Sequence, residues 1–192
     1  MAKTEDIRHS ILIVSASDQF VAVVKRSLRD FLTIEIRKSG TTARRTALER
    51  EFDLVVIQAP LTDESGEDLA IDLSEKLGAS VLLVTPQEVF DEMLDRVTDH
   101  GIMVLPSPSP GGRIDQAIRF LVALQNRMYG LKKKAAQAEE KMEEIRLVSK
   151  AKLLLVEKKK MTEDEAHRFI GKQAMNNGVS RARIARKILE DF

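Results

Sequence analysis

The sequence predicts an α/β fold, a doubly wound five-stranded parallel sheet, followed by a long coiled-coil helix and a small three-helix bundle. Three observations carry this reading. Short apolar runs alternate with helix-length stretches through the first half of the chain, and those runs are apolar at consecutive positions. All strand patterning then stops after Pro106-Ser107-Pro108-Ser109-Pro110-Gly111-Gly112.

The strands are expected at Ile11 to Ser15, Leu32 to Ile36, Leu54 to Gln58, Val81 to Thr85 and Ile102 to Leu105. Leu54-Val55-Val56-Ile57 is apolar at every position, which a strand needs only when helices cover both faces of its sheet. Each run is followed by enough chain for a crossover helix, and five such βα units make a doubly wound sheet. Arg113 to Leu121 has the length of the fifth covering helix. Beyond it, Leu121, Leu124, Met128, Leu131, Ala135, Ala138, Met142 and Ile145 recur at spacings of three and four, the seam of a coiled coil. A single long helix lying on its own domain is the alternative. Gly130 costs such a helix about 1 kcal/mol. Arg127, Lys134 and Lys141 at g, with Lys132, Glu139 and Arg146 at e, give a parallel pair only one complementary crossing, Lys134 with Glu139. A marginal homodimer that relies on its terminal domains is expected, with domains at 1–122, 123–145 and 146–192.

In the last segment the apolar stripe shifts to Val148, Ala151, Leu154 and Leu155 and stops at Lys158-Lys159-Lys160, where cations suit a helix C-terminus. Thr162-Glu163-Asp164-Glu165 is a capping box. It opens a second helix that buries Ala166, Phe169, Ile170 and Ala174 and ends near Asn176-Asn177-Gly178. Ser180 caps a third helix that buries Ile184, Ala185, Ile188 and Leu189.

Composition excludes several chemistries. The 192 residues contain no cysteine, so disulfides, thiolate-bound metals and thiol catalysis are ruled out. Residues 1–20 hold no signal-peptide core and no apolar run is long enough to span a bilayer, so a cytoplasmic, membrane-free protein is expected. His9, His100 and His167 fall at no metal-ligand spacing, and no glycine-rich phosphate loop is present; no metal, no cofactor and no enzymatic activity are expected. His167 reads as a partly buried packing residue. Charge is unevenly spread: residues 1–111 carry 12 Lys+Arg against 19 Asp+Glu, and residues 112–192 carry 19 against 11. An acidic first half joined to a basic second half points to a polyanionic partner for the tail.

The tail resembles an ANTAR domain, the RNA-binding module of bacterial transcription antitermination regulators. The matching residues are Ala151-Lys152, Leu155, Thr162 with Glu165 and Ala166, Gln173-Ala174-Met175, and Ile184-Ala185-Arg186-Lys187-Ile188-Leu189. It departs from the family at Val156, where methionine is common, and at His167, where an aromatic usually packs. The first half resembles the flavodoxin-like receiver domain of response regulators, and receiver, coiled coil and ANTAR is a familiar order in that family.

The receiver resemblance implies an aspartate acceptor ending the third strand, two acids after the first strand that hold Mg²⁺, a hydroxyl after the fourth and a lysine before the proline after the fifth. Here the acceptor position reads Gln58, the acids read Ser15-Ala16 and the lysine reads Ser107; only Thr85 keeps its type. An amide cannot form an acyl phosphate, and a serine beside an alanine brings no charge to a divalent cation. A pseudoreceiver follows, controlled by a protein partner or a small ligand, or not controlled at all. Asp18, Asp63 and Glu64 are the remaining acids nearby, read as helix caps or solvated loop residues.

For the tail, the resemblance implies RNA hairpins captured by a pair of modules, so that an overlapping terminator cannot form. Phosphates call for cations and unstacked bases for flat or amide side chains. The candidate contacts are Lys152, Lys159, Lys160, Arg168, Lys172, Gln173, Arg181, Arg183, Arg186 and Lys187, with Asn176 or Asn177 as a further amide. A DNA-binding regulator with its third helix in the major groove, and an interaction scaffold that binds no nucleic acid, are the alternatives.

Overall fold

The computed structural model describes residues 9–28 and 31–192; the absence of a signal-peptide core was read partly from residues 1–8, which lie outside them. Five parallel strands, β1 (His9–Val14), β2 (Phe31–Arg37), β3 (Leu54–Gln58), β4 (Ser80–Pro86) and β5 (Met103–Ser107), form one sheet in the order β2-β1-β3-β4-β5. Their side chains alternate between two cores. Leu12, Val14, Val55, Ile57, Val81, Leu83 and Val104 face α2 (Gly40–Glu49), α3 (Glu67–Leu77) and α4 (Phe90–Val97). Ile11, Ile13, Leu54, Val56, Leu82 and Val84 face α1 (Asp18–Arg26) and the start of α5 (Gly111–Lys159). Covering both faces is why Ile11–Val14, Leu54–Ile57 and Val81–Val84 are apolar at consecutive positions, whereas the edge strand β2 carries Thr33, Glu35 and Arg37. Adjacent strands β1 and β3 send their following helices to opposite faces, which opens a crevice at their C-terminal ends, the usual ligand position of a doubly wound sheet.

The tail forms its own compact unit, residues 130–192, distinct from residues 1–129. Its core joins Ala151 and Leu155 of α5 to Ala166, Ile170 and Ala174 of α6 (Glu163–Asn177) and Ile184, Ala185 and Ile188 of α7 (Arg181–Glu190). Helix α5 ends where Lys160 takes a left-handed φ of 57°, a conformation few non-glycine residues adopt. Thr162 then caps α6: its hydroxyl accepts from the Glu165 amide at 3.3 Å while the Glu165 carboxylate accepts from the Thr162 amide at 2.8 Å. That bond to the amide, reinforced by the Thr162 hydroxyl, lowers the Glu165 pKa. Gly178 closes α6 at φ 62°, where a Cβ would be strained, and Ser180 caps α7.

Three expectations need correction. Leu121 is 3% exposed within the receiver-like core, because the fifth covering helix still needs it; it does not open the exposed seam. His167 is exposed, since it is turned about 100° around α6 from Ala166, the first member of the buried stripe of Ala166, Ile170 and Ala174. Phe169 is only partly buried.

The loop after β3 is tied to the start of α2. The Asp63 carboxylate accepts from the Gly40 amide (2.8 Å), the Thr41 amide (2.9 Å) and the Thr41 hydroxyl (2.8 Å). Glu64 pairs with Arg44 at 2.9 Å, and Arg44 also donates to Asp72 at 3.1 Å. The Thr41 and Gly40 amides hold the Asp63 carboxyl down from 3.8 to about 2. A carboxyl with a lower pKa folded than unfolded stabilises fully above its unfolded value and loses that contribution as pH falls through the folded one. Urea denaturation of the wild type should therefore show stability falling between about pH 4 and pH 2, and Asp63→Asn should lower stability at pH 6 and flatten that acid limb. Parallel pH curves for the two proteins would show that the cap contributes nothing.

Candidate functional site

Among the described residues the candidate side chains gather in two places, one in each unit. The first is the crevice beyond β1 and β3. Ser15 follows β1 and is 1% exposed, and its hydroxyl donates to Gln58 Oε1 at 2.6 Å and accepts from the Ser17 amide at 3.0 Å. The residues that would hold a metal and a phosphoryl group are thus bonded to one another. Ala16 brings no donor, and Ser107 ends β5. A divalent cation needs carboxylate oxygens, and this set of one hydroxyl, one methyl and one amide does not fit it.

No nearby acid replaces the acceptor. Both oxygens of Asp63 are taken by the first turn of α2, Glu64 is held by Arg44, and Asp18 is an exposed first residue of α1 with Lys38 at 3.6 Å. Thr85 is fully buried, and its hydroxyl has no hydrogen-bond partner.

The second place is the surface of the helical unit, where most predicted cations gather in two grooves. Gln173, Asn177, Arg183, Arg186 and Lys187 line an open groove of about 860 Å³ between α6 and α7, with Ile184 and Ile188 among its apolar lining and the acids Glu190 and Asp191 also on it. Lys159, Lys160, Arg168 and Lys172 line a second groove of about 480 Å³ at the turn from α5 to α6. Phe169 belongs to both, and Lys159 Nζ lies 5.9 Å from its ring centroid. Arg181 reaches back over Gly171 of α6, its guanidinium at van der Waals distance, 3.9 Å, from where a Cβ there would stand. Lys152 stands apart from both grooves. It is bonded to Glu163 at 2.6 Å, with the Glu163 pKa lowered as a result, and so ties α5 to α6.

Two members of this surface were not foreseen in their roles. Phe169 was read as core, yet it is the aromatic face where the cation groups meet; the signal was that the tail holds only Phe169 and Phe192 as aromatics. Asn177 orients Gln173, its Nδ2 donating to the Gln173 carbonyl at 2.7 Å and to Oε1 at 3.3 Å, an i, i+4 pair that helical spacing makes readable.

Comparison with known proteins agrees with this layout. Residues 136–189 match the ANTAR domain family. The chain is 30% identical over 139 residues to the transcriptional regulatory protein PdtaR of Mycobacterium tuberculosis, covering 72% of this chain and 67% of that protein. This chain is an ANTAR response regulator. Its first unit is similar in fold to the signal receiver domain of an HD-domain-containing protein from Pseudomonas fluorescens (TM-score 0.59, 20% identity, 68% of this chain and 97% of that one). It is likewise similar to a CheY-like receiver domain protein from Methanospirillum hungatei (TM-score 0.56, 18% identity, 63% and 98%).

As an ANTAR response regulator it is a transcription-regulating member of the two-component systems, with regulatory and not catalytic domain types. Among the described residues no helix is long and apolar enough to cross a membrane. Its receiver site nevertheless carries none of the charge that phosphoryl transfer uses. Incubation with acetyl phosphate and Mg²⁺ should leave the intact mass unchanged, and a gain of one phosphoryl group would overturn this reading and direct attention to Asp63 and Asp18.

Proposed function

We propose that this ANTAR response regulator acts as a dimer that binds leader-RNA stem-loops and prevents formation of an overlapping terminator hairpin, with an input other than phosphorylation. The observation that carries the proposal is the pair of cation-lined grooves meeting at Phe169 within the ANTAR match. Cations along the two grooves suit the phosphates of a folded RNA. The ring of Phe169 and the amides of Gln173 and Asn177 suit bases splayed from a loop, which are read by stacking and by their hydrogen-bonding edges. The proposed contacts are Lys159, Lys160, Arg168, Lys172, Gln173, Arg181, Arg183, Arg186 and Lys187. Lys152, spent on Glu163, is left to a structural role.

Dimerisation is supported by an exposed apolar stripe along α5. Leu124 is 39% exposed, Met128 and Leu131 each 52%, Met142 69% and Ile145 55%, and Ala135 and Ala138 are exposed between them. Large apolar side chains at coiled-coil spacing bury most of that surface when a second helix pairs with them. Two linked modules gain from effective concentration: once one hairpin is bound, the second capture is intramolecular. The input would be a regulatory protein or a small ligand at the receiver unit, since Ser15, Ala16, Gln58 and Ser107 give phosphoryl transfer nothing to use.

Titration of the full chain with a tandem stem-loop RNA and with duplex DNA of equal length, at several salt concentrations, tests the proposal. The RNA should win the competition, and its affinity should fall steeply as salt rises through counterion release. Met142→Asp should dissociate the dimer in sedimentation and weaken tandem-hairpin binding by tenfold or more, by order of magnitude of the lost effective concentration. Preference for duplex DNA would instead place α7 in a major groove, and no nucleic-acid binding would leave an interaction scaffold.

A further inference from the structure

We infer that the receiver unit holds a binding site for a small, uncharged and mainly apolar molecule, in the cavity between the end of β4 and α4, with the Thr85 hydroxyl as its polar anchor. This deepens the reading of a non-phosphoryl input and rests on it.

The first observation is the hydroxyl itself. Thr85 is fully buried and its Oγ1 meets no donor or acceptor, a state that destabilises a folded protein. Strand alternation places this side chain on the same sheet face as Val81 and Leu83, the face packed against Met93 and Val97 of α4. A phosphoryl group, the partner the receiver resemblance implies for this hydroxyl, has no carboxylate to carry it at position 58, where the amide of Gln58 is bonded to Ser15 instead.

The second observation is the space on that face. Thr85 lines a cavity of about 340 Å³ together with Ala59, Pro60, Val89 and Met93, within the range that small-molecule sites occupy. Val89, 39% exposed, is a large apolar side chain left partly in water at this cavity. An apolar wall with one unpaired polar group is the pattern of a site that binds a compact molecule by burial and fixes it by one hydrogen bond.

The third observation selects the ligand's charge. Pro86 and Ser65, whose hydroxyl accepts from the Glu67 amide at 3.5 Å, also line it, and Glu67, Glu92 and Arg96 are its charged members. The guanidinium is already bonded to both carboxylates, at 3.2 Å to Glu67 and 2.7 Å to Glu92. No cation is left over to receive an anion, and the group as a whole carries one net negative charge. Phosphates and carboxylates are therefore disfavoured, and a neutral alcohol-like head is the matching chemistry for Thr85.

Benzyl alcohol, toluene and benzoate serve as matched probes for the full chain, followed by amide and methyl NMR. Benzyl alcohol should give saturable shifts centred on Thr85, Val89 and the Met93 methyl, and benzoate should give none. Thr85→Val keeps the shape and removes the hydroxyl. It should weaken benzyl alcohol about three- to tenfold, the loss of one neutral hydrogen bond, leave toluene unchanged and raise the thermal midpoint of the free protein. Val89→Trp, at a partly exposed position, should fill the cavity and abolish the shifts with the fold intact. Absence of saturable shifts, equal response to benzoate, or a Thr85→Val protein that binds benzyl alcohol as the wild type does would overturn the inference. If acetyl phosphate phosphorylates the chain, the premise of a non-phosphoryl input fails instead, a result separate from any outcome with the probes.

Discussion

The rest of the molecule depends on one helix that must satisfy three different surroundings along its length. Residues Gly111–Lys159 form a single α-helix. Its first turns bury Ile114, Ala117, Ile118 and Leu121 under the sheet, and its last turns bury Ala151 and Leu155 in the helical unit. Between them the apolar side chains stay in water. Each end of the helix supplies its own unit with the apolar side chains that unit needs. The uncovered middle is then the part of the chain with most to gain from a second copy.

The proposed non-phosphoryl input of the receiver unit is equally a matter of which groups bond to which. In the crevice beyond β1 and β3, a hydroxyl and an amide replace the carboxylates, and the 2.6 Å bond between Ser15 and Gln58 makes the site self-satisfied. Acids remain in the following loop, but Asp63 and Glu64 serve α2: one caps its amides and the other holds Arg44. The receiver fold rests on its packing, and the proposal of a non-phosphoryl input rests on this separate rearrangement of its polar groups. The fully buried Thr85 hydroxyl is what remains of the original layout, and its lack of a partner is why it carries information about a new one.

Much of the architecture was legible in the residues. Apolar runs gave every strand to within a few positions, because a sheet covered on both faces leaves no room for polar side chains. The Thr162 box, Gly178 and Ser180 marked the ends of α6 and α7, because capping is local chemistry. Leu121 falls both at the seam spacing and at the end of the sheet-covering helix, where it is buried, because the two share the same spacing and periodicity alone cannot say which surface a residue meets. His167 and Phe169 were misread for a related reason: a stripe on a short helix is wide, and which of its edges is covered depends on neighbours distant in sequence. Likewise Lys152 looked like one more tail cation. Its bond to Glu163 depends on how α5 and α6 come together, which no local pattern encodes.

The central claim is that the cations and Phe169 of the helical unit meet folded RNA. The most direct measurement is sequencing of the RNA recovered with the tagged full-length chain after crosslinking in cells, beside a parallel sample in which Arg183, Arg186 and Lys187 are replaced by glutamine. The account predicts strong enrichment of transcript leaders containing paired stem-loops, lost in the substituted protein. RNA no different from an untagged control, or the same RNA with and without those three cations, would contradict it.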